Sequence, residues 1–176
     1  MKQLSMAVCL SWTLLLTAGC HPISVKTDYD HGVRFAHLRA YAWQAAAKLD
    51  TGDPRFDTRR IDGEIRNSVD TTLAAKGFQK TEAAQADFLV GYSATLSSGS
   101  NTVTRQQTVG DWTRTSSHTV DYETGALVLE MTDPTAQRTL WRADASAVVI
   151  EQASAAERQA RIGKAVRKML EDFPPQ

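Results

Sequence analysis

The apolar positions of residues 60–76 recur at every fourth residue, a spacing that places them on one face of a helix. The residues of this face are Ile61, Ile65, Val69 and Leu73. Gly77 stands where helices commonly end in a glycine, and Phe78 follows at the position that packs back onto Leu73. The pattern therefore predicts an amphipathic helix over 60–76.

A second helical pattern covers residues 155–172. Ser154 and Glu157 have the spacing of a capping box, in which each side chain bonds to the backbone N–H of the other residue. Pro174 and Pro175 stop the helix. The apolar residues that share one face are Ile162, Val166, Met169, Leu170 and Phe173.

Alternating apolar and polar residues predict strands elsewhere in the chain. Residues 88–96 alternate, with Phe88, Val90, Tyr92, Ala94 and Leu96 on one side. Residues 126–131 and 140–150 flank a turn at 133–137, which predicts an antiparallel hairpin. Two shorter strands are expected at 23–29 and 38–43. In the second of these, Tyr41 and Trp43 share a face.

Residues 97–124 are rich in serine and threonine and have few apolar anchors. Threonine favours strands, and Gly110-Asp111 can form a turn. We predict an exposed β-hairpin here, with Trp112 near its tip.

These elements predict an α+β fold: a two-layer sandwich in which a largely antiparallel β-sheet has two helices packed on one face. Each predicted helix has a single apolar face, and each strand is apolar mainly on one side. We expect one domain at 25–176, preceded by a removed signal peptide at 1–19 and a lipidated N-terminus with a short tether at 20–24.

The signal-peptide prediction rests on an uncharged apolar run from Leu4 to Leu16 after Lys2. The run is too short for a membrane span. The sequence Leu16-Thr17-Ala18-Gly19-Cys20 that ends it resembles a bacterial lipobox, in which the cysteine receives acyl chains. Cys20 is therefore the predicted lipidation site. His21 replaces the aspartate that commonly signals inner-membrane retention, so we expect an outer-membrane anchor with the domain facing the periplasm.

Charge and composition exclude some function classes. The chain has 20 basic and 20 acidic residues, and this balance argues against a nucleic-acid partner. Its two cysteines are too few for a disulfide framework.

The sequence points to no catalytic residues, no metal and no cofactor. The four histidines lack the spacing of metal ligands, and no nucleophile-elbow motif occurs. Aromatic side chains are the remaining lead, because aromatic residues on a sheet can hold a ligand or a protein partner. Trp112, Tyr41 and Trp43 form the candidate binding surface, although core packing also explains an aromatic residue on a strand.

Several segments resemble one family. They are VKTDYD and FAHLRAYAW near the start, AKGF and ADFLVGY in the middle, and GALVLEMTDPTAQRTLWRADA before a closing FPP. In their order and spacing they are similar to the bacterial envelope lipoproteins grouped as domain of unknown function 4136. The resemblance implies secretion, lipid attachment at Cys20 and an α+β domain, and it implies no established activity.

We therefore expect a lipid-anchored envelope domain without catalytic activity, with an accessory or structural role. Its expected partners are the membrane, through N-terminal acyl chains, and an envelope protein. One alternative is a periplasmic binding module for a hydrophobic or glycan ligand or a protein partner, which would use the helix-free sheet face or the Trp112 hairpin. A further alternative is an uncharacterised hydrolase.

Overall fold

The computed structural model describes residues 22–45, 48–50, 58–150 and 152–175. It contains two α-helices, α1 (Thr58–Ala75) and α2 (Ala155–Met169). The strands are β1 (Ser24–Tyr29), β2 (Ala40–Trp43), β3 (Lys48–Asp50), β4 (Gln79–Lys80), β5 (Phe88–Val109), β6 (Trp112–Thr132) and β7 (Thr139–Val148). The predicted signal peptide and Cys20 lie outside the described residues.

Helix α1 ends as its sequence predicts. Gly77 has a φ of 89°, which an L side chain would find strained, and its N–H donates to the carbonyl of Ala74 at 3.0 Å. The N–H of Phe78 donates to the carbonyl of Leu73 at 3.0 Å. These two bonds form a Schellman motif, and both Leu73 and Phe78 are buried.

Helix α2 begins with the predicted capping box. The N–H of Glu157 donates to Ser154 Oγ at 3.2 Å, and the N–H of Ser154 donates to Glu157 Oε2 at 2.7 Å. The helix ends at Met169, three residues earlier than expected. The chain before Pro174 turns out of the helix, because the residue preceding a proline disfavours helical geometry. Phe173 lies beyond the helix and is still buried.

The sheet is mixed, which corrects the expectation of a largely antiparallel one. Its strand order is β1-β7-β6-β5-β2-β4, and β3 pairs with β5. The β1–β7, β7–β6 and β6–β5 pairs are antiparallel, whereas β5–β2, β2–β4 and β3–β5 are parallel. The chain between β2 and β4 contains α1, and such a crossover is what places two strands in parallel. The fold class is α+β, as predicted.

The core is built around Phe173. The rings of Phe35, Phe78, Phe88 and Trp141 have centroids 5.2–6.0 Å from the Phe173 ring. Val166 of α2 and Leu170, directly after the helix, belong to the same core and are fully buried, as the predicted apolar face requires. In the described part of the chain, no helix is both long and apolar enough to cross a membrane.

Strands β5 and β6 extend far beyond the rest of the sheet. Their pairing continues without interruption from Leu89 opposite Thr132 to Val109 opposite Trp112, and Gly110 in the turn has a φ of 63°. We call residues 97–124 of this ribbon the arm. The predicted exposed hairpin with Trp112 near its tip is confirmed.

Candidate functional site

A cavity of about 280 Å³ lies between the two helices and the sheet. Its apolar walls come from helix and strand residues, and they include Ile61, Ile65, Leu127, Ala145, Ile162 and Ala165. Alanines at positions 94, 145, 147 and 165 leave this space, because larger side chains there would fill it. The cavity therefore exists because small residues stand at these positions, whereas other core positions carry large side chains.

Three arginines also line the cavity, namely Arg60, Arg158 and Arg161. Arg60 is exposed, which places it where the cavity opens to solvent, whereas Arg158 is half-buried. Arg161 is half-buried and donates from Nη2 to the carbonyl of Val148 at 3.1 Å. The described lining contains no aspartate or glutamate. Apolar walls with cationic side chains in the lining suit an apolar chain that ends in an anionic group.

The start of the domain lies beside the cavity. Ile23 lines the cavity and is 7% exposed. Its carbonyl accepts a hydrogen bond from Lys168 Nζ at 2.8 Å, which ties the chain to α2 directly before β1. The segment that leads back to Cys20 therefore leaves the domain next to the cavity.

A second cluster joins α1 to the aromatic residues of β2. Asp70 accepts hydrogen bonds from Tyr41 Oη at 2.8 Å and from Trp43 Nε1 at 2.9 Å, and Lys80 Nζ lies 2.8 Å from its other oxygen. Burial opposes ionisation of Asp70, but the bonds from Lys80, Tyr41 and Trp43 outweigh it and hold the pKa of this carboxyl below its usual value. Burial and the bond to Asp70 together raise the pKa of the Tyr41 phenol.

The neighbouring turns of α1 make a similar contact with β5. Tyr92 Oη donates to Asp62, and Arg66 Nε lies 2.8 Å from the same carboxylate. The guanidinium of Arg66 lies 4.6 Å from the centroid of the Trp43 ring, within the range of a cation–π interaction. Despite the opposing effect of burial, the bonds from Tyr92 and Arg66 lower the pKa of Asp62. These polar side chains therefore fix the orientation of α1 against β2 and β5.

The three aromatic residues proposed as one binding surface do not lie together. Tyr41 is 1% exposed and belongs to the core, so the expectation that it contributes to a surface is wrong. Its ring stacks on Phe88, and its hydroxyl is held by Asp70. Trp43 is half-buried under Arg66. Trp112 is 84% exposed at the end of the arm.

The sheet face opposite the cavity is polar. Arg142 contacts Asp144 through two nitrogens, at 2.8 and 2.9 Å, and Glu130 at 2.6 Å. The guanidinium of Arg142 on β7 therefore pairs with carboxylates on both β6 and β7. Among the described residues, no group of three or more histidine, cysteine, aspartate or glutamate side chains has metal-site geometry.

The sequence did not indicate the cavity or its arginines. Nothing in a hydrophobic pattern distinguishes an alanine that faces a void from one that fills a tight contact. The spacing of Asp62, Arg66 and Asp70, four residues apart on α1, was available as a signal for a polar stripe facing the sheet.

Comparisons with known proteins agree with the fold. A family model described as a domain of unknown function, DUF4136, matches residues 25–175. No curated protein matches the chain. Solved structures with a similar fold include a DUF4136 family protein from Bacteroides thetaiotaomicron, with 13% sequence identity, a TM-score of 0.52, and coverage of 86% of this chain and 96% of that one.

A second similar structure is a PDZ domain protein from Parabacteroides distasonis. It has 14% identity and a TM-score of 0.54, and the match covers 89% of this chain. This chain spans 36% of the length of that protein. At such low identities the likeness concerns the fold alone.

Proposed function

We propose that this chain, which belongs to the DUF4136 family over residues 25–175, is a lipid-anchored domain of the bacterial cell envelope that acts by binding rather than by catalysis. The observation that carries the proposal is the lipobox-like sequence ending at Cys20, directly after an uncharged apolar run and four residues before β1 begins at Ser24. In this proposal the signal peptide is removed, Cys20 is acylated, and the domain faces the periplasm from the outer membrane.

The strength of anchoring follows from the number of acyl chains. A single chain binds a bilayer reversibly, with an association constant of about 10⁴ M⁻¹, whereas two or three chains make release negligible. Equal numbers of acidic and basic residues, 20 of each, leave the protein without net charge, and high salt screens any local attraction to an anionic surface. Retention of the protein in membranes against high salt would therefore come from the lipid.

The two-layer arrangement is part of this proposal. The cavity is lined by Ile61 of α1 and Ile162 of α2, and by Ala94, Leu127 and Ala145 of the sheet. Ala94, Leu127 and Ala145 lie in one row of the paired strands and so point to the same face. We infer that both helices cover that face.

Binding is supported over catalysis by the chemistry of the titratable groups. Arginine stays protonated at neutral pH, so the arginines that line the cavity are poor proton-transfer groups. Asp62 and Asp70, whose pKa values are lowered, stay ionised and are engaged by α1, β2 and β5. The described lining of the cavity contains no histidine, aspartate or glutamate that could act there as a general acid or base.

The test of anchoring compares the wild type with Cys20→Ser and His21→Asp in cells fed a clickable fatty acid. Wild type is expected to carry the label and to sediment with outer membranes in a density gradient. Cys20→Ser should stay unprocessed and unlabelled, since thioether formation needs the thiol. His21→Asp should be labelled and shifted in part to the inner membrane. Unlabelled, freely soluble wild type in the periplasm contradicts the proposal.

The cavity favours a second candidate function, a binding module for an apolar ligand. Ala147→Leu should fill part of the cavity and weaken binding of the anionic apolar dye anilinonaphthalene sulfonate. Ala74→Leu makes the same chemical change at an exposed position of α1 and serves as the control. Equal dye binding by wild type and Ala147→Leu, with both folded, contradicts a ligand in this cavity.

A further inference from the structure

The exposed large apolar residues of the described chain lie on one face of the sheet. Trp112 is 84% exposed, Val103 and Val120 are each 51% exposed, and Tyr122 is 40% exposed. In the register of the ribbon, Val103 lies opposite His118, Val120 opposite Asn101, and Tyr122 opposite Gly99. Paired and alternate residues of two strands point to one side. The tryptophan face is defined as the odd-numbered residues 97–109 together with the even-numbered residues 112–124.

The packing of Tyr122 confirms this placement. A Cβ atom added to Gly99 would lie 2.9 Å from Cζ of Tyr122, so the tyrosine ring lies across the glycine on the tryptophan face. Val148, which is 42% exposed, continues the same face onto β7, because it lies opposite Thr124. The exposed apolar residues are therefore distributed along the arm, with Arg105 and Arg114 between Trp112 at the tip and the valines nearer the base.

The charges of the arm are divided between its two faces. The tryptophan face carries Arg105, Arg114 and His118 and has no aspartate or glutamate. The opposite face carries Asp121 and Glu123 among serine, threonine and glutamine residues, and has no basic residue. A chain with no net charge thus presents its exposed apolar residues together with a positive field, which suits an anionic partner surface.

The arm has no strand beside it in the described part of the chain. Among the described residues, β5 beyond Thr95, which pairs with Asp50 of β3, pairs only with β6, and β6 has no pairing with β7 beyond Thr124. A free two-stranded ribbon is marginally stable in water, because neither face is packed against a second layer. Contact with another surface would stabilise it.

The register places the arm on the side of the domain from which the N-terminal segment leaves. Ser24 pairs with Ser146, Ser146 with Ala126, and Ala126 with Thr95, so these residues form one row across the sheet. The arm begins two residues beyond Thr95, and the chain before Ser24 continues in the same direction. The arm is about 40 Å long at about 3.3 Å per residue, whereas three residue steps, the separation of Cys20 from Ile23, can span at most about 10 Å. A membrane held by Cys20 is therefore within reach of the arm.

We propose that the tryptophan face of the arm docks onto the anionic lipid headgroups of a membrane. Tryptophan and tyrosine side chains favour the membrane–water interface, where the ring is apolar and its edge is hydrated. Arg105 and Arg114 would contact headgroup phosphates, and Val103 and Val120, nearer the base of the arm, would lie against the acyl boundary. The orientation part of this argument rests on the proposed anchor at Cys20, but the composition of the face does not.

The test uses the mature chain, residues 20–176, made in the cytoplasm with Cys20→Ser so that no lipid is attached. It is mixed with vesicles of phosphatidylcholine alone or of an equal mixture with phosphatidylglycerol, whose acyl chains are brominated to quench tryptophan. We expect quenching in the mixed vesicles and much less in the neutral ones. Trp112→Phe should abolish the quenched component, since Trp141 is 1% exposed and Trp43 is half-buried.

The double variant Arg105→Gln/Arg114→Gln should weaken binding to the mixed vesicles about 30-fold, which corresponds to about 1 kcal/mol for each cation. Lys164→Gln/Arg167→Gln changes the net charge equally on the exposed surface of α2 and should alter binding less than about twofold. Far-UV circular dichroism checks that each variant is folded.

Three results would overturn the proposal. The first is the absence of binding to mixed vesicles, and the second is an equal loss of binding in the arm and α2 variants. The third is self-association that is lost in Trp112→Phe while vesicles remain unbound, which would make the face an interface between copies. No lipid is attached in this test, so its failure would not bear on the lipid anchor. The Cys20 labelling experiment tests the anchor separately.

Discussion

Replacement of Asp70 with alanine is expected to lower the free energy of unfolding by about 2–4 kcal/mol. The main contribution comes from the hydroxyl of Tyr41, which is 1% exposed and would lose its acceptor. A buried donor left without a partner costs about 1–3 kcal/mol. The indole N–H of Trp43 contributes less, because its half-buried position lets water replace the carboxylate. The pair with Lys80, whose side chain is 54% exposed, adds about 0–1 kcal/mol.

A double-mutant cycle isolates the bond between Tyr41 and Asp70. Tyr41→Phe removes the donor, so the combined variant Tyr41→Phe/Asp70→Ala has no buried hydroxyl without a partner. Its cost should be smaller than the sum of the two single costs by about 1 kcal/mol or more. Urea unfolding followed by circular dichroism measures all four proteins. Strictly additive costs would refute the account of this cluster, as would a loss below about 0.5 kcal/mol for Asp70→Ala alone.

The lowered pKa of Asp70 predicts how the stability of the protein depends on pH. Lys80, Tyr41 and Trp43 hold the pKa of Asp70 below its usual value against the effect of burial, so folding favours the ionised form. Stability from such a group is fully present above the unfolded pKa of about 4 and is lost as pH falls through the lower folded pKa. The difference in stability between wild type and Asp70→Ala should therefore shrink below about pH 4. A difference that stays constant at acidic pH would contradict this.

Four further substitutions test the helices by the same urea assay. Gly77→Ala should destabilise the protein by about 1 kcal/mol, because Gly77 has a positive φ. Gly63→Ala, in the middle of α1, should stabilise it, because an added Cβ meets nothing within 4 Å there. Effects of the same sign would contradict the helix-end geometry. Ser154→Ala should cost about 0.5–2 kcal/mol by removing the cap of α2, and no loss would mean that the capping box does not stabilise the helix. Leu170→Ala should cost about 2–5 kcal/mol, and a cost below about 1 kcal/mol would show that its site is not tightly packed.

Local signals in the sequence predicted the helices well, because their information lies within a few residues. Leu73, Gly77 and Phe78 specify the end of α1 by conformation and contact, and Ser154 and Glu157 specify the start of α2. The arm was predictable for a similar reason, since its strands and its turn at Gly110 are adjacent in the chain.

Pairings between distant segments were not predictable in the same way. Alternation places Tyr41 on a face, but it does not say that β2 pairs in parallel with β5 or that the face is covered by α1. An aromatic residue on a strand gives the same signal whether it packs in the core, as Tyr41 does, or stays exposed, as Trp112 does. What distinguishes them is the surroundings: Trp112 stands in a run of polar residues that cannot build a core.

The candidate site was even less predictable from the sequence than the strand pairings. The cavity depends on where alanines of β5, β7 and α2 meet, and each of these residues is unremarkable in its own segment. The arginines that line it come from α1 and α2, which are nearly a hundred residues apart in sequence. Only the folded chain places these arginines beside one cavity.

The most direct test of the central claim is the intact mass of the mature protein extracted from membranes in detergent. The account predicts a chain that begins at Cys20 and is heavier than its amino-acid sequence by a diacylglyceryl group and an N-linked acyl chain, with the added mass on the N-terminal peptide. A chain with the mass of the unmodified sequence, or one cleaved at another residue, would contradict the lipid anchor.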